Sequence, residues 1–260
     1  LTFLSTWTDD APEPSVSETW LSSMTGSVTE IRSYMVLGEA TAPGTYGLES
    51  MAIKRFIVAL GLMALTAFPA LAEPFRIVGF GDSLMAGYQL APGEGFPEKL
   101  EAALKARGHD VVIANAGVSG DTTSGGLARL DWSVPDGTDL VILELGANDM
   151  LRGLSPQIAE QNLDAMIARL KERGMDVLLA GMMAAPNLGQ AYGEAFNGLY
   201  PRLAQKHGID LYPFFLEGVA ADASLLLDDG MHPNATGVDR MVENALPYVE
   251  RKITQAGGEG

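Results

Sequence analysis

The sequence predicts an α/β domain built on a parallel sheet with helices on both faces. Three observations predict it. Short apolar runs of strand length recur at Arg76–Phe80, Asp110–Ala114, Leu140–Leu145, Val177–Ala180 and Ile209–Tyr212. Segments with helical spacing separate them, so each strand pair needs a crossover connection, which is how parallel sheets are made. Polar residues able to do chemistry sit in the loops that follow these strands, and open parallel sheets place their chemistry beyond the carboxyl ends of the strands.

The first strand runs directly into Gly81-Asp82-Ser83-Leu84. A serine at the tip of a strand-to-helix turn is where a nucleophile is expected; an ordinary helix cap by Asp82 or Ser83 is the plainer reading. A helix opens at Phe96-Pro97, with Pro in its first turn and apolar positions at Leu100, Ala103 and Leu104; Gly108 ends it. The run Asp110–Ala114 is a buried strand, and Asn115–Gly120 reads as a loop. Asp121 is the expected cap of a short helix through Leu130. Leu140–Leu145 is apolar enough to be central, and Gly146–Asp149 reads as a loop. Ser155-Pro156 starts a helix whose inner face is Ile158, Leu163, Met166, Ile167 and Leu170, stopped by Gly174. After Val177–Ala180 comes an irregular loop, then a helix from Glu194 to Lys206, strand Ile209–Tyr212, and a last helix from about Thr236 to Ile253. The glycine-rich tail is expected to fray.

Of the 260 residues, 73–260 are expected to form the domain. Met51–Arg55 is a short basic start, Phe56–Ala67 an apolar run and Ala70-Leu71-Ala72 a small-x-small cleavage site. This is the pattern of a secretory signal peptide; the apolar run is short for a membrane anchor and breaks at Pro69. A signal works at an N-terminus. Residues 1–50, rich in Ser, Thr, Glu and Gly and without a period, are therefore expected to be an over-extended reading frame or a disordered extension upstream of Met51. The expectation is a periplasmic or secreted protein with no stable membrane insertion once the signal is removed.

The net charge is −16. Residues 1–50 hold seven acids and one base, and 51–72 two bases, so 73–260 carry −12 of it. That argues against nucleic acid or an anionic membrane as partner, because phosphates need Lys and Arg to neutralise them. With no cysteine, there is no disulfide, no thiolate nucleophile and no cysteine zinc site.

The loop residues form one chemical set. A serine hydroxyl is a weak nucleophile and needs a base, and histidine suits that role near neutral pH. The imidazole needs a carboxylate to fix its tautomer. Asp229 lies three residues before His232 in Asp229-Gly230-Met231-His232, so one turn presents both. The oxyanion formed by attack on a carbonyl needs fixed donors, each worth about 3 kcal/mol. The backbone N–H groups of Ser83 and Gly117 and the side-chain amide of Asn148 are the expected three, Gly117 because a residue without a β-carbon allows close approach of a substrate.

Gly81-Asp82-Ser83-Leu84, Gly117, Gly146-Ala147-Asn148-Asp149 and Asp229-Gly230-Met231-His232 resemble, in order, the four blocks of the SGNH/GDSL hydrolases. Tyr200-Pro201-x-Leu203-Ala204 and Pro213-Phe214-Phe215 are similar to the bacterial periplasmic arylesterase, acyl-CoA thioesterase and lysophospholipase group. The resemblance covers nearly all of 75–253. It implies a three-layer α/β/α flavodoxin-like sandwich with a five-stranded parallel sheet in the order 2-1-3-4-5. It also implies Ser83 as nucleophile, His232 as base and Asp229 as its orienter. Ala147 departs from the expected Gly and bears on acyl-chain preference.

The remaining candidates have plainer roles. His109 and His207 are expected to be solvated or to cap helix carbonyls. No pair of histidines has metal-ligand spacing, so no metal and no cofactor are expected. Asp82 is expected to brace the turn, Asp149 its own loop, and Asp228 is a weaker alternative to Asp229. Gly79, Gly81 and Gly87 match no phosphate-loop spacing. Met182, Met183 and Pro186, with Leu151 facing them, are candidates for an acyl-chain groove, since Met adapts to flexible apolar ligands. The expected substrate is a small ester or thioester with an acyl chain. A carbohydrate acetylesterase or a non-catalytic flavodoxin-like binding module are the alternatives; an aromatic platform would favour the former, an apolar groove would not. Oligomeric state is left open.

Overall fold

The computed structural model describes residues 73–258. The expected signal segment at 51–72 and the extension at 1–50 lie outside the described residues. Five strands form one parallel sheet: β1 (Phe75–Gly81), β2 (Val111–Gly117), β3 (Leu140–Glu144), β4 (Asp176–Ala180) and β5 (Asp210–Tyr212). Their order is β2-β1-β3-β4-β5, as the resemblance implied. Helices α1 (Ser83–Ala86), α2 (Phe96–Ala106), α3 (Thr123–Ser133), α4 (Ala147–Leu151), α5 (Pro156–Glu172), α6 (Gln190–His207) and α7 (Ala235–Gly257) connect and cover the strands.

The layering follows from the strand order. The chain moves from β1 outward to β2, then returns across β1 to β3 and continues to β5. Right-handed crossovers in opposite directions must cross opposite faces. Accordingly α2 packs with α7 in one layer, and α5 packs with both α3 and α6 in the other. Phe80, Phe96, Phe196, Tyr200, Tyr212 and Phe215 are among the largest wholly buried side chains. The direction reverses between β1 and β3, which is where such sheets open a crevice.

Several boundaries differ from the pattern-based expectation, each for a local reason. β2 runs three residues past Ala114, because its ladder with β1 continues from Phe75↔Val111 to Gly81↔Gly117. Backbone pairing there overrides the poor strand propensity of Asn115 and Gly117. The cap of α3 is Thr122, whose side chain accepts from the Gly125 N–H, while Asp121 turns to Arg129 instead. Residues 147–151 form a short helix rather than a loop, entered through Gly146 at φ +123°. A β-carbon on Gly146 would meet the Tyr200 hydroxyl. The last helix is capped by Asn234 and continues to Gly257. His109 and His207 pair with carboxylates rather than capping carbonyls: His109 Nε2 lies 3.3 Å from Glu250 Oε1, and His207 Nε2 lies 2.6 Å from Asp164 Oδ1.

Gly117 is a glycine for a packing reason. An added β-carbon would run into the backbone nitrogen of Ala86, with the Ala86 Cα at 2.6 Å. The close approach is between β2 and α1, not between β2 and a substrate. Gly117→Ala is therefore expected to destabilise the fold by about 1–3 kcal/mol, lowering Tm by roughly 3–10 °C. Gly193, inside α6, has open space at its β-carbon position and no positive φ. Gly193→Ala is expected to raise stability by about 0.5–1 kcal/mol. Thermal unfolding of the two variants checks both signs.

Candidate active site

The end of β1 is closed by a one-turn helix. Asp82 is its cap, and Asp82 Oδ1 accepts from the Leu84 N–H at 3.0 Å. Ser83 is its first residue, so the Ser83 N–H has no acceptor inside the helix. The turn that carries His232 comes from the opposite end of the chain. Asp229 Oδ1 accepts from the backbone N–H groups of Met231 (2.9 Å) and His232 (3.0 Å), and Gly230 takes a left-handed φ of +69°. The Leu227 N–H donates to the His232 carbonyl at 2.7 Å, and a Leu226↔Pro233 bridge pins the loop. The fold thereby brings the Asp229–His232 turn into line with Ser83, which is distant in the sequence. His232 Nε2 lies 2.8 Å from Ser83 Oγ, and His232 Nδ1 lies 2.6 Å from Asp229 Oδ2. The backbone bonds from His232 and Met231, then the His232 side chain, pull the Asp229 carboxyl down to about 2. It is ionised throughout the neutral range and able to hold an imidazolium.

The groups expected to face an oxyanion are placed in part differently from expectation. Asn148, in α4, is carried to the same rim, and one hydrogen of its amide goes to Asp82 Oδ2 at 3.0 Å. Its second amide hydrogen is available to a ligand. Gly117 does not fit the expected role: its N–H donates to Asn115 Oδ1 at 3.0 Å, and it lies behind α1 rather than on the cavity wall. Gly120 does line the cavity. It sits at φ +82° in the turn closed by Asp121 N–H to the Val118 carbonyl (3.1 Å), and among the described residues its own N–H has no protein acceptor. The extension of β2 explains the difference. Three more paired residues carry the chain past α1 before it turns, so the second glycine reaches the site and the first does not. The available signal was the Ser119-Gly120 pair, since a glycine inside a turn supplies the positive φ that a β2–α3 corner needs.

Three buried polar residues support this rim, none of them given that role by the sequence patterns. Arg129 donates to the carbonyls of Gly81 (2.8 Å) and Ala116 (2.8 Å), pairs with Asp121 (2.6 Å), and lies 4.0 Å from the centre of the Phe80 ring. It ties the ends of β1 and β2 together. Asp149 braces the start of α3 rather than its own loop: its carboxylate accepts from the Thr123 N–H (2.8 Å) and hydroxyl (2.6 Å). Glu144 is wholly buried at the end of β3. Its Oε2 accepts from the Asp82 N–H at 3.2 Å, and among the described residues its Oε1 has no partner. Burial, then the adjacent Asp82 charge, holds the Glu144 carboxyl well above the usual carboxylate range. Burial likewise pushes Asp82 up to about 6, against the bonds from Leu84 and Asn148.

A cavity of about 620 Å³ opens at Ser83 and His232, a size ordinary for a small-molecule site. Met182, Met183, Pro186 and Leu151 all line it, as expected. Leu84, Tyr88, Met150, Phe214, Leu216 and Met231 complete a largely apolar wall. The Tyr88 ring lies against His232, with centroids 4.5 Å apart. Among the described residues no group of three or more His, Asp or Glu is placed to hold a metal ion, and no helix is long and apolar enough to cross a membrane.

A serine, an imidazole and a carboxylate in hydrogen-bond sequence, at the switch point of a doubly wound sheet, define the serine-hydrolase class. Residues 80–240 match the GDSL-like Lipase/Acylhydrolase family. The chain is 43% identical over 181 residues to an arylesterase of Vibrio mimicus, which covers 69% of this chain and 86% of that protein. It is 38% identical over 195 residues to thioesterase 1/protease 1/lysophospholipase L1 of Escherichia coli K12, covering 73% and 91%. The crystal structure of AlinE4, an SGNH-hydrolase family esterase, superposes with a TM-score of 0.59 at 48% identity, covering 70% of this chain and 98% of that one. The chain belongs to the GDSL-like lipase/acylhydrolase family and is a serine esterase.

The raised carboxyls carry a pH signature. Asp82 and Glu144 titrate higher in the folded chain than in the unfolded one, so the folded chain binds more protons above the ordinary carboxylate range. Stability then falls as pH rises from about 4 through about 6. Asp229 has the opposite sign: its stabilisation is complete above its ordinary value and is lost as pH falls toward about 2. Glu144→Gln removes one titrating group and keeps an acceptor for the Asp82 N–H. Its Tm is expected to decline less than that of the parent between about pH 4 and 8. A slope equal to the parent's would show that Glu144 does not titrate in this range.

Proposed function

We propose that this chain hydrolyses carboxylic esters through an acyl-enzyme on Ser83. The observation that carries the proposal is the continuous hydrogen-bond line Ser83–His232–Asp229 at the mouth of an apolar cavity. Ser83 Oγ attacks the substrate carbonyl carbon, and its proton passes to His232 Nε2. The carbonyl oxygen becomes an oxyanion facing the Ser83 N–H, the Gly120 N–H and the free hydrogen of the Asn148 amide. As the intermediate collapses, the ester C–O bond breaks and His232 returns the proton to the leaving oxygen. Water then repeats the sequence, with His232 as base, releasing the acid and restoring Ser83. Asp229 stays ionised and holds the imidazolium that forms twice in each cycle.

The apolar wall supports an acyl chain as the recognised part of the substrate, short to medium in length, with aryl esters included. The relatives' names extend this to thioesters and lysophospholipids. Acyl-CoA carries several negative charges and this chain is strongly acidic, so plain esters rank first. The same wall disfavours a sugar, which would call for an aromatic platform and polar partners. The basic, apolar and small-residue pattern of 51–72 supports export to the periplasm or the medium.

Hydrolysis of p-nitrophenyl esters of increasing acyl length tests the reading. Ser83→Ala is expected to lose on the order of 10³-fold or more in kcat, and a parent rate in that variant would refute it. Asn148→Ala is expected to lose about 10²-fold in kcat with little change in KM. A rise in KM there with kcat unchanged would assign Asn148 to substrate binding instead.

A further inference from the structure

We propose that Tyr88 is a positioning residue for His232, holding the imidazole on the Ser83–Asp229 line with its ring packed against the base. The inference rests on the esterase reading above and extends it to a residue outside the hydroxyl–imidazole–carboxylate line. The Tyr88 and His232 rings lie 4.5 Å apart between centroids, at 41° to each other. At that distance an aromatic face attracts a cation, and His232 becomes a cation each time it takes the serine proton.

The chain that carries Tyr88 is built to hold it there. The Tyr88 N–H donates to the carbonyl of Ser83 at 3.2 Å, and Gly87 leaves α1 in the left-handed region at φ +74°. The following residue, Gln89, is the one described non-glycine residue with positive φ, at +57°. Glutamine gains nothing from that conformation by itself, so the surroundings must impose it, and such outliers concentrate where a side chain must be aimed. Its side chain is also engaged: Gln89 Nε2 donates to the Tyr88 hydroxyl at 3.0 Å. A turn closed by the Leu90 N–H on the Gly87 carbonyl (3.1 Å) completes the unit. The nucleophile and the plate behind its base therefore belong to one short piece of chain. The base, which arrives from a loop about 150 positions away, is set against both at once.

The titratable groups facing the imidazole are Asp229 from its own loop, Asp82 from the cap of α1, and Tyr88 itself. Asp229 is ionised across the profile and attracts the imidazolium, Asp82 gains its charge only as pH rises through about 6, and neither residue is altered in the Tyr88 variants. A Tyr88 that only lined the cavity would affect substrate binding and leave proton transfer alone. That difference gives the test.

The kinetics of Tyr88→Leu, Tyr88→Phe and Tyr88→Trp are compared with the parent on p-nitrophenyl acetate, whose acyl group is too short to need the wall, across about pH 5–9. Tyr88→Leu is expected to lose about tenfold in kcat, and the acid limb of its kcat/KM profile is expected to move to lower pH by about half a unit. Tyr88→Phe keeps a ring and is expected to keep the acid limb in place; Tyr88→Trp, with the stronger face, is expected to hold it at or above the parent position. Tyr88→Leu raising KM alone, with kcat and the acid limb unmoved, would overturn the proposal, as would a Trp variant whose acid limb falls. Tyr88 is 38% exposed, and the two aromatic variants keep the test readable if the leucine variant unfolds. The outcome is separable from the esterase reading: a Ser83→Ala variant at parent rate defeats that reading, whereas ring-independent kinetics with Ser83 essential defeats only the role of Tyr88.

Discussion

The structure depends on how closely the end of β1 is gripped at Gly81. A β-carbon there would sit 2.5 Å from Glu144 Oε2 and 2.7 Å from the Glu144 carbonyl oxygen, so β1 can lie against β3 only with glycine at this position. The Gly81 carbonyl accepts from the Val118 N–H (3.0 Å) and from Arg129 (2.8 Å), which joins it to the loop after β2. The next two residues are Asp82 and Ser83. One point of contact thus sets the position of Ser83 relative to the loops that carry Gly120 and Asn148. Reversal of chain direction between β1 and β3 opens the crevice; the grip at Gly81 gives that crevice fixed edges.

Three carboxylates near one another serve different ends because their surroundings differ. Asp229 is partly exposed and accepts two backbone N–H bonds besides the imidazole, so it stays charged. Asp82 and Glu144 are buried side by side, and burial opposes their ionisation. Separation of acids by environment is the usual means by which one site runs several protonation states at one pH. Here the charged acid faces the imidazole, and the buried pair lies beneath the turn, where Asp82 orients the Asn148 amide. Stability is given up locally to keep that turn in shape.

Much of this was legible in the sequence, because it rests on local pattern. Apolar runs separated by helical spacing fixed the strands and their parallel sense, and Ser155-Pro156 marked the start of α5 to the residue. The rim residues Ser83, Asn148 and His232 were findable because they follow strand ends in a sheet whose strand ends share one edge. What was missed depends on distance in space. Whether β2 ended at Ala114 or Gly117 turned on backbone pairing with β1, which no local propensity records; the expectation fell on Gly117, whereas Gly120 is the glycine that lines the cavity. The roles of Arg129 and Glu144 arise only when the fold brings their partners from other strands and loops. Tyr88 had no periodic or motif signal; its place is set by a turn whose tension lies in Gln89.

The central claim is that Ser83 is made nucleophilic by His232 held on Asp229. The most direct measurement is mass-spectrometric mapping of the protein after stoichiometric fluorophosphonate treatment, in the parent and in His232→Ala. The account predicts a single adduct on Ser83 in the parent and a labelling rate lower by on the order of 10³-fold without the imidazole. An adduct at another residue, or labelling of Ser83 at the same rate in both proteins, would contradict it.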